Sequence, residues 1–468
     1  MLYDTIMGIK QRLTNLKFGK DEIKEESHDN DVKSSNVVSI VFRSLILDLL
    51  AFTMILPLLP ALLDYYKEID DKKGLYTWIL KHTQNIQIYL NAPDKFSTVL
   101  FGGFLGSMYS FLQFLAMPII GALSDVYGRR PMMILCLSGI TISYITWALS
   151  QNFAIFVLSR FIGGISKGNI SLSMAIITDV TSLKNRGKSM ALVGIAFSIG
   201  FIVGPMIGVI FSKIAGNEKE GYWYIFPAIF ALIIALSDLF YIINCLEETL
   251  PIHRRAKSLS HGIYGAIIYI NPIDLFQFNG VTELSPNELK NLRTLGRSYF
   301  LYLFVYSGLE FTLTFLTHHT FFFTSMQQGY MFLVIGLTMA TLQGRFVRRI
   351  PADRTKFYGE LGLWLVIPAF IFIGIAETVF CLYIGIFIFS VSTAMAVTCM
   401  MTLVTRIGPD NQKGTITGIF RSLGALARAC GPIIASIAFW SIGSSTTYLI
   451  GAIVLIIPPL ILKGILTN

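Results

Sequence analysis

Charge is scarce in this sequence. Only 14% of its 468 residues are Asp, Glu, Lys or Arg, against about 25% in an ordinary soluble chain. A chain so short of charge cannot coat the surfaces of the roughly three soluble domains that its length suggests. Cysteine is scarce too. Cys136, Cys245, Cys381, Cys399 and Cys430 stand singly in apolar segments. That spacing excludes a disulfide framework and offers no metal-ligand pattern, so they read as packing residues and no metal is expected. The apolar core of a secretory signal is missing from residues 1–36. KFGKDEIKEESHDNDVKSSN is polar and carries both signs, so 1–36 is expected to be a disordered cytosolic tail.

Apolar residues, by contrast, are abundant: 54% of the chain, with a mean hydropathy of +0.64. They lie in long blocks. Crossing about 30 Å of hydrocarbon at about 1.5 Å per residue takes about 20 residues, so each block reads as a membrane-spanning helix. The blocks predict an all-α integral membrane protein with spans at 37–63, 97–123, 132–150, 153–178, 187–212 and 222–246. Six more fall at 298–323, 325–345, 358–379, 381–405, 414–439 and 445–466. The short loops after even-numbered spans carry the arginines and lysines, from Arg129 and Arg130 to Arg406 and Lys413. Opposite short loops carry only Lys213 and Lys219, and the longer 64–96 loop adds five lysines. Basic loops face the cytosol, so both termini and the 247–297 linker are expected there. The net charge of +9 is thereby explained by topology, and a nucleic-acid partner is not expected.

The linker 247–297 separates six spans from six, giving halves 37–246 and 298–468. It contains HGIYGAIIYI, too short to span, and an amphipathic SPNELKNLRTLGR. A trace of duplication joins the halves. Gly187 precedes the Gly204-Pro205 pair of span 5 by 17 residues, and Gly414 precedes the Gly431-Pro432 pair of span 11 by 17. Parallel six-span repeats are a known transporter architecture.

Three motifs now point one way. GALSDVYGRR, residues 121–130, resembles the loop 2–3 signature of the major facilitator superfamily, and lies where that superfamily has it. SRFIGGISKG (159–168) resembles the superfamily's span 4 arginine motif. GIAFSIGFIVGP (194–205), with Gly200, Gly204 and Pro205, resembles the span 5 motif of its antiporter branch. The second-half loop GRFVRRI (344–350) keeps basic residues but lacks the aspartate. Several further segments, such as FLYLFVYSGLEFTLTFLTH and KGTITGIFRSLGALARACGP, are similar to animal tetracycline-transporter-like members. That resemblance implies a two-half rocking fold and an organic anion antiporter. It also implies a latch, in which Asp125 sits against the N-terminus of span 11 beside Gly414. Gly121 would give close contact, Gly128 a tight turn, and Arg129 and Arg130 a cytosolic anchor.

Charges near the midplane are the candidate machinery, because each costs about 2.5–3.5 kcal/mol there on insertion scales. Asp48 lies about 16 Å into span 1, Lys167 about 21 Å into span 4, Glu310 about 18 Å into span 7 and Arg428 about 21 Å into span 11. Arg160 and Lys167 are seven apart, as are Arg421 and Arg428, so each pair is expected to share a helix face. The resemblance implies that spans 1, 4 and 7 line a central cavity. Arg160, Lys167, Arg421 and Arg428 are expected to attract an anionic substrate, Glu310 and Asp48 to carry protons, and Tyr306 and Phe311 to stack on a flat organic molecule. Structural ion pairs, Asp48 with Arg160 or Lys167, are the competing expectation, and Asp238 deep in span 6 reads as structural.

No enzyme constellation appears. Gly164-Ile165-Ser166-Lys167-Gly168 matches a nucleophile-elbow pattern but sits inside an apolar helix. His318 and His319 are adjacent, so their side chains diverge, and the Asn169-Ile170-Ser171 sequon lies inside a span. The expected function is proton-coupled antiport of an organic anion by a monomer in a lipid bilayer, driven by a proton gradient without a cofactor. A uniporter, a proton symporter, and a receptor or scaffold with a protein partner remain alternatives. Plasma membrane and endomembranes, nuclear or lysosomal included, are equally open.

Overall fold

The computed structural model describes residues 34–70, 73–90, 97–181, 183–214, 223–255, 269–281, 284–408 and 413–465. Most of the N-terminal segment 1–36 and of HGIYGAIIYI lies outside them. Among the described residues nine helices are long and apolar enough to cross a membrane. They are α1 (Ser34–Ile69), α2 (Ser97–Tyr127), α3 (Arg129–Ala148), α6 (Ile225–Cys245), α7 (Pro286–Thr320), α9 (Thr355–Gly374), α10 (Val379–Val404), α11 (Lys413–Ile442, its apolar part Thr415–Ile442) and α12 (Ser444–Lys463). The remaining three positions are filled by α4 (Phe153–Ser166, then Asn169–Val180), α5 (Leu183–Ile214) and α8 (Ser325–Arg345). The chain is a multi-pass, all-helical membrane protein.

Several helices differ from the apolar blocks. α7 starts at Pro286, not near 298, because Ser285 and Glu288 form a reciprocal capping box that begins the helix in the polar linker. The amphipathic stretch is therefore the first three turns of α7, and its capping hydrogen bonds hold the Glu288 carboxyl below the usual carboxylate range. The 64–96 segment is largely helical, since α1 runs on to Ile69 and a separate helix spans Leu75–Leu90. α12 is interrupted at Leu455–Ile456, and α1 passes through a tight 3-10 turn at Leu56–Leu58 that carries Pro57. Most consequential is the break in α4 at Lys167–Gly168, which the apolar pattern of 153–178 concealed.

The two halves meet through α2 with α11 and through α5 with α8. In a six-plus-six duplication α2 corresponds to α8 and α5 to α11, so these are the same contact made twice. Small residues permit the approach. A side chain on Gly103 would collide with Ser436 and the Pro432 carbonyl of α11. The Ser107 hydroxyl accepts from the Ile433 N–H at 2.8 Å. Within each half the duplication recurs: Gly204 lies on α1 at Thr53 and Leu50, while Gly431 lies on α7 at Phe304 and Ser307.

Candidate functional site

In the first half, the α4 break places a lysine on an aspartate. Lys167 leaves helical geometry (φ −78°, ψ 35°), and the second segment restarts at Asn169. The Lys167 ammonium donates to Asp48 Oδ1 at 2.5 Å, and Asn169 Nδ2 donates to Oδ2 at 2.7 Å. Both charged side chains are almost wholly buried, at 2% and 1% exposure. Phe52 places its ring 4.8 Å from the ammonium, a further stabilising contact for a desolvated cation. Both carboxylate oxygens are thus satisfied, as a buried charge requires.

Arg160 is elsewhere. Its guanidinium lies over the rings of Trp147 (5.3 Å) and Phe156 (5.6 Å) and donates to Ser159 Oγ at 3.3 Å. One terminal nitrogen is buried without an acceptor. Arg160 and Lys167 thus hold different partners, with the helix interrupted just after Ser166. Of the two pairings open to Asp48, the structure shows Lys167.

The antiporter-type motif supports this cluster from behind. Gly200 lies against Leu49, and Thr53 Oγ1 donates to the Gly200 carbonyl at 2.7 Å. Gly204 meets Thr53 one turn on, and Pro205 sits inside α5. The motif residues therefore set the backbone of α1 in the turn that follows Asp48.

The second half carries a different cluster. Tyr306 donates to Glu310 Oε1 at 3.1 Å, one helical turn away on α7. Thr393 of α10 donates to the Tyr306 oxygen at 3.3 Å, and the Tyr306 ring stacks on Phe389 at 5.1 Å. Glu310 is half-buried, with Arg428 of α11 within electrostatic reach. Arg428 is exposed although it lies mid-helix, while Arg421 contacts the Met174 sulfur of α4 across the two halves. Both arginines lie within electrostatic reach of Tyr299 on α7. Neither makes a salt bridge among the described residues. The two aromatic candidates are packing residues here: Tyr306 is 5% exposed, and Phe311 lies on Gly106 of α2 at the seam between halves.

In the loop between α2 and α3, Gly128 adopts φ +105°, a turn that only glycine makes without strain. Arg129 is buried, not water-facing. It donates to Asp179 of α4 at 2.8 Å and Ser124 at 2.5 Å, and pairs with Asp125 at 2.7 Å. Arg130 donates to the Ile243 carbonyl at 2.7 Å. Glu248, beyond α6, caps α3 by accepting from the Arg129 N–H at 2.9 Å. Gly121 has only Ser171 of its own half beside it, and Asp125 is half exposed. Gly414 begins α11, but its surroundings lie outside the described residues.

At the opposite end of the bundle the halves are clasped. His318 pairs with Asp64 at 2.8 Å and His319 with Thr98 at 3.0 Å. Sequence reading missed Asn169, Asp179, Glu248 and this clasp. Each lies more than 100 residues from its partner or, for Asp179, 50, and no local pattern announces such pairs.

The sequence matches the family described as Major Facilitator Superfamily over residues 41–432. The chain belongs to that superfamily. It is 44% identical over 421 residues to human "Major facilitator superfamily domain-containing protein 10", covering 88% of this chain and 89% of that protein. The bovine protein of the same name is 43% identical over 440 residues, covering 92% of each. Among solved structures, the "human organic anion transporter MFSD10 (TETRAN)" superposes with a TM-score of 0.75 at 43% identity, covering 92% of this chain and 99% of that one. This major facilitator protein is therefore a membrane transporter and not an enzyme.

Proposed function

We propose that this transporter is an organic anion antiporter whose anion loading is linked to protonation of Glu310. The observation that carries the reading is Arg428, exposed in mid-helix within electrostatic reach of Glu310, with Arg421 two turns away on α11. The human relative described as an organic anion transporter supports the substrate class.

Two arginines without carboxylate partners are costly to enclose in a dry site. A bound anion neutralises them, so the loaded carrier reorients more readily than the empty one, and exchange follows. Ionised Glu310 competes with the anion for Arg428. Protonated Glu310 leaves the guanidinium to the substrate carboxylate, which suits its planar fork. Acid on one side therefore loads the anion from that side. A proton moving with the anion is thermodynamically the same as exchange of the anion for hydroxide. Glu310→Gln in liposomes should abolish accumulation driven by a pH gradient while anion-for-anion exchange persists. Unchanged pH dependence removes Glu310 from this role, and no uptake by the parent protein points instead to a receptor or scaffold.

The basic-loop end is read as cytosolic, which makes the His318–Asp64 clasp an external closure and this conformation inward-facing. In the outward-facing state Asp125 leaves Arg129 and meets the N-terminus of α11. Asp125→Asn should slow transport and enrich the inward-facing form, as read by distances between spin labels on the two halves. A parental distribution of distances counts against the latch.

A further inference from the structure

Asp238 sits on α6, a helix that packs on α3 and α5, outside the clusters described above. Asp238 is 1% exposed, and among the described residues neither carboxyl oxygen has a hydrogen-bond partner. The nearest polar side chain acting on it is the Ser44 hydroxyl of α1. The charged groups that act on it are Asp48 of α1 and Lys167 of α4. Ser44 precedes Asp48 by one turn on the side of the basic loops, so Asp238 lies between the buried ion pair and that end.

One lysine and two carboxyls, all buried, therefore lie within electrostatic reach of one another. An isolated ionised carboxylate in such surroundings is strongly unfavourable, and buried groups neutralise instead. Lys167 can balance only one of the two. Asp48 holds it here, with Asn169 completing the shell, and Asp238 makes no salt bridge among the described residues.

We infer that Asp48, Lys167 and Asp238 form a single-proton binding site, with the proton on Asp238 in this conformation and on Asp48 when Lys167 turns to Asp238. The charge balances in both arrangements: one ammonium, one carboxylate and one neutral carboxyl. The proton passes from one Asp oxygen to the other or exchanges with water at the basic-loop end, and Lys167 keeps its own protons throughout. Lys167 has the long flexible stem that such a change of partner needs. The site is separate from Glu310, and its existence does not depend on the substrate.

Two measurements test it. In infrared spectra of the purified protein in bilayers, taken as differences between alkaline and acid pH, the parent should show the stretch of a protonated carboxyl. That band should persist in Glu310→Gln, which removes the Glu310 carboxyl, and vanish when Asp238→Asn is added to Glu310→Gln. A Glu310→Gln protein without the band, or a band that survives in the Glu310→Gln, Asp238→Asn double variant, overturns the inference. Thermal unfolding gives the second. Asp48→Asn alone should be tolerated because Asp238 takes over Lys167, and Asp238→Asn alone because the amide resembles the neutral acid. The double variant leaves Lys167 without a counter-ion, so its midpoint should fall by about twice the sum of the single shifts or more. Additive shifts mean that Asp238 does not share Lys167 and overturn the inference.

Discussion

Arg428→Ala should lower organic anion transport by about 10- to 100-fold, the loss expected when a charged hydrogen-bond partner worth about 1.5–3 kcal/mol is removed. Arg428 is exposed, so truncation leaves no unpaired buried charge and should not unfold the protein. Its loss is therefore a binding effect, measured as a raised half-saturation concentration for the anion in proteoliposomes. The variant also removes the positive charge that Glu310 opposes. The pH dependence should shrink along with the affinity, because the carboxyl no longer competes for a guanidinium. Arg428→Lys should recover part of the affinity, since it restores the charge but not the two-pronged geometry. Parental transport in Arg428→Ala would place the anion elsewhere in the bundle.

Lys167→Ala should damage the fold itself. The substitution strands Asp48, 1% exposed on its side chain and otherwise held only by Asn169. Breaking a buried ion pair from one side costs about 3–5 kcal/mol. That is a large part of a typical stability of about 5–15 kcal/mol, so the unfolding midpoint in detergent should drop by several degrees at least. Lys167→Met combined with Asp48→Asn removes both charges and should recover much of the loss, because a neutral pair leaves no uncompensated ion. Transport by this double variant then separates two roles. If the pair only braces α1 against α4, transport returns with stability. If the pair takes part in the cycle, stability returns and transport does not. A Lys167→Ala protein as stable as the parent would show that the pair contributes little to the fold.

Much of this architecture is written in one dimension. Apolar blocks must be helices, because hydrocarbon offers no partner for an unpaired backbone group. The rarity of charge in those blocks is itself a signal, which is why Asp48, Lys167, Glu310 and Arg428 stand out without any structure. Glycine at close-contact positions is readable for a similar reason. The constant spacing of Gly187 from Gly204 and Gly414 from Gly431 anticipated equivalent helices, and Gly204 and Gly431 occupy matching contacts on α1 and α7.

What the sequence could not supply is pairing. Periodicity assumes an unbroken helix, but α4 is interrupted at Lys167–Gly168, and Arg160 and Lys167 hold different partners. Tyr306 looked like a stacking surface, yet its hydroxyl is committed to Glu310 and its ring to Phe389. Arg129 looked like a solvent anchor, yet it ties α2 to α4.

Taken alone, the sequence determined that the chain is a membrane-embedded helical bundle of two related halves with scarce charges at mid-depth, because hydrophobic length and the cost of buried charge act locally along the chain. The tertiary structure decided which charge answers which: Lys167 pairs with Asp48, Arg428 comes within electrostatic reach of Glu310, and Asp238 makes no salt bridge among the described residues. Electrostatic pairing depends on distance in space, and residues more than a hundred positions apart become neighbours only when the helices pack.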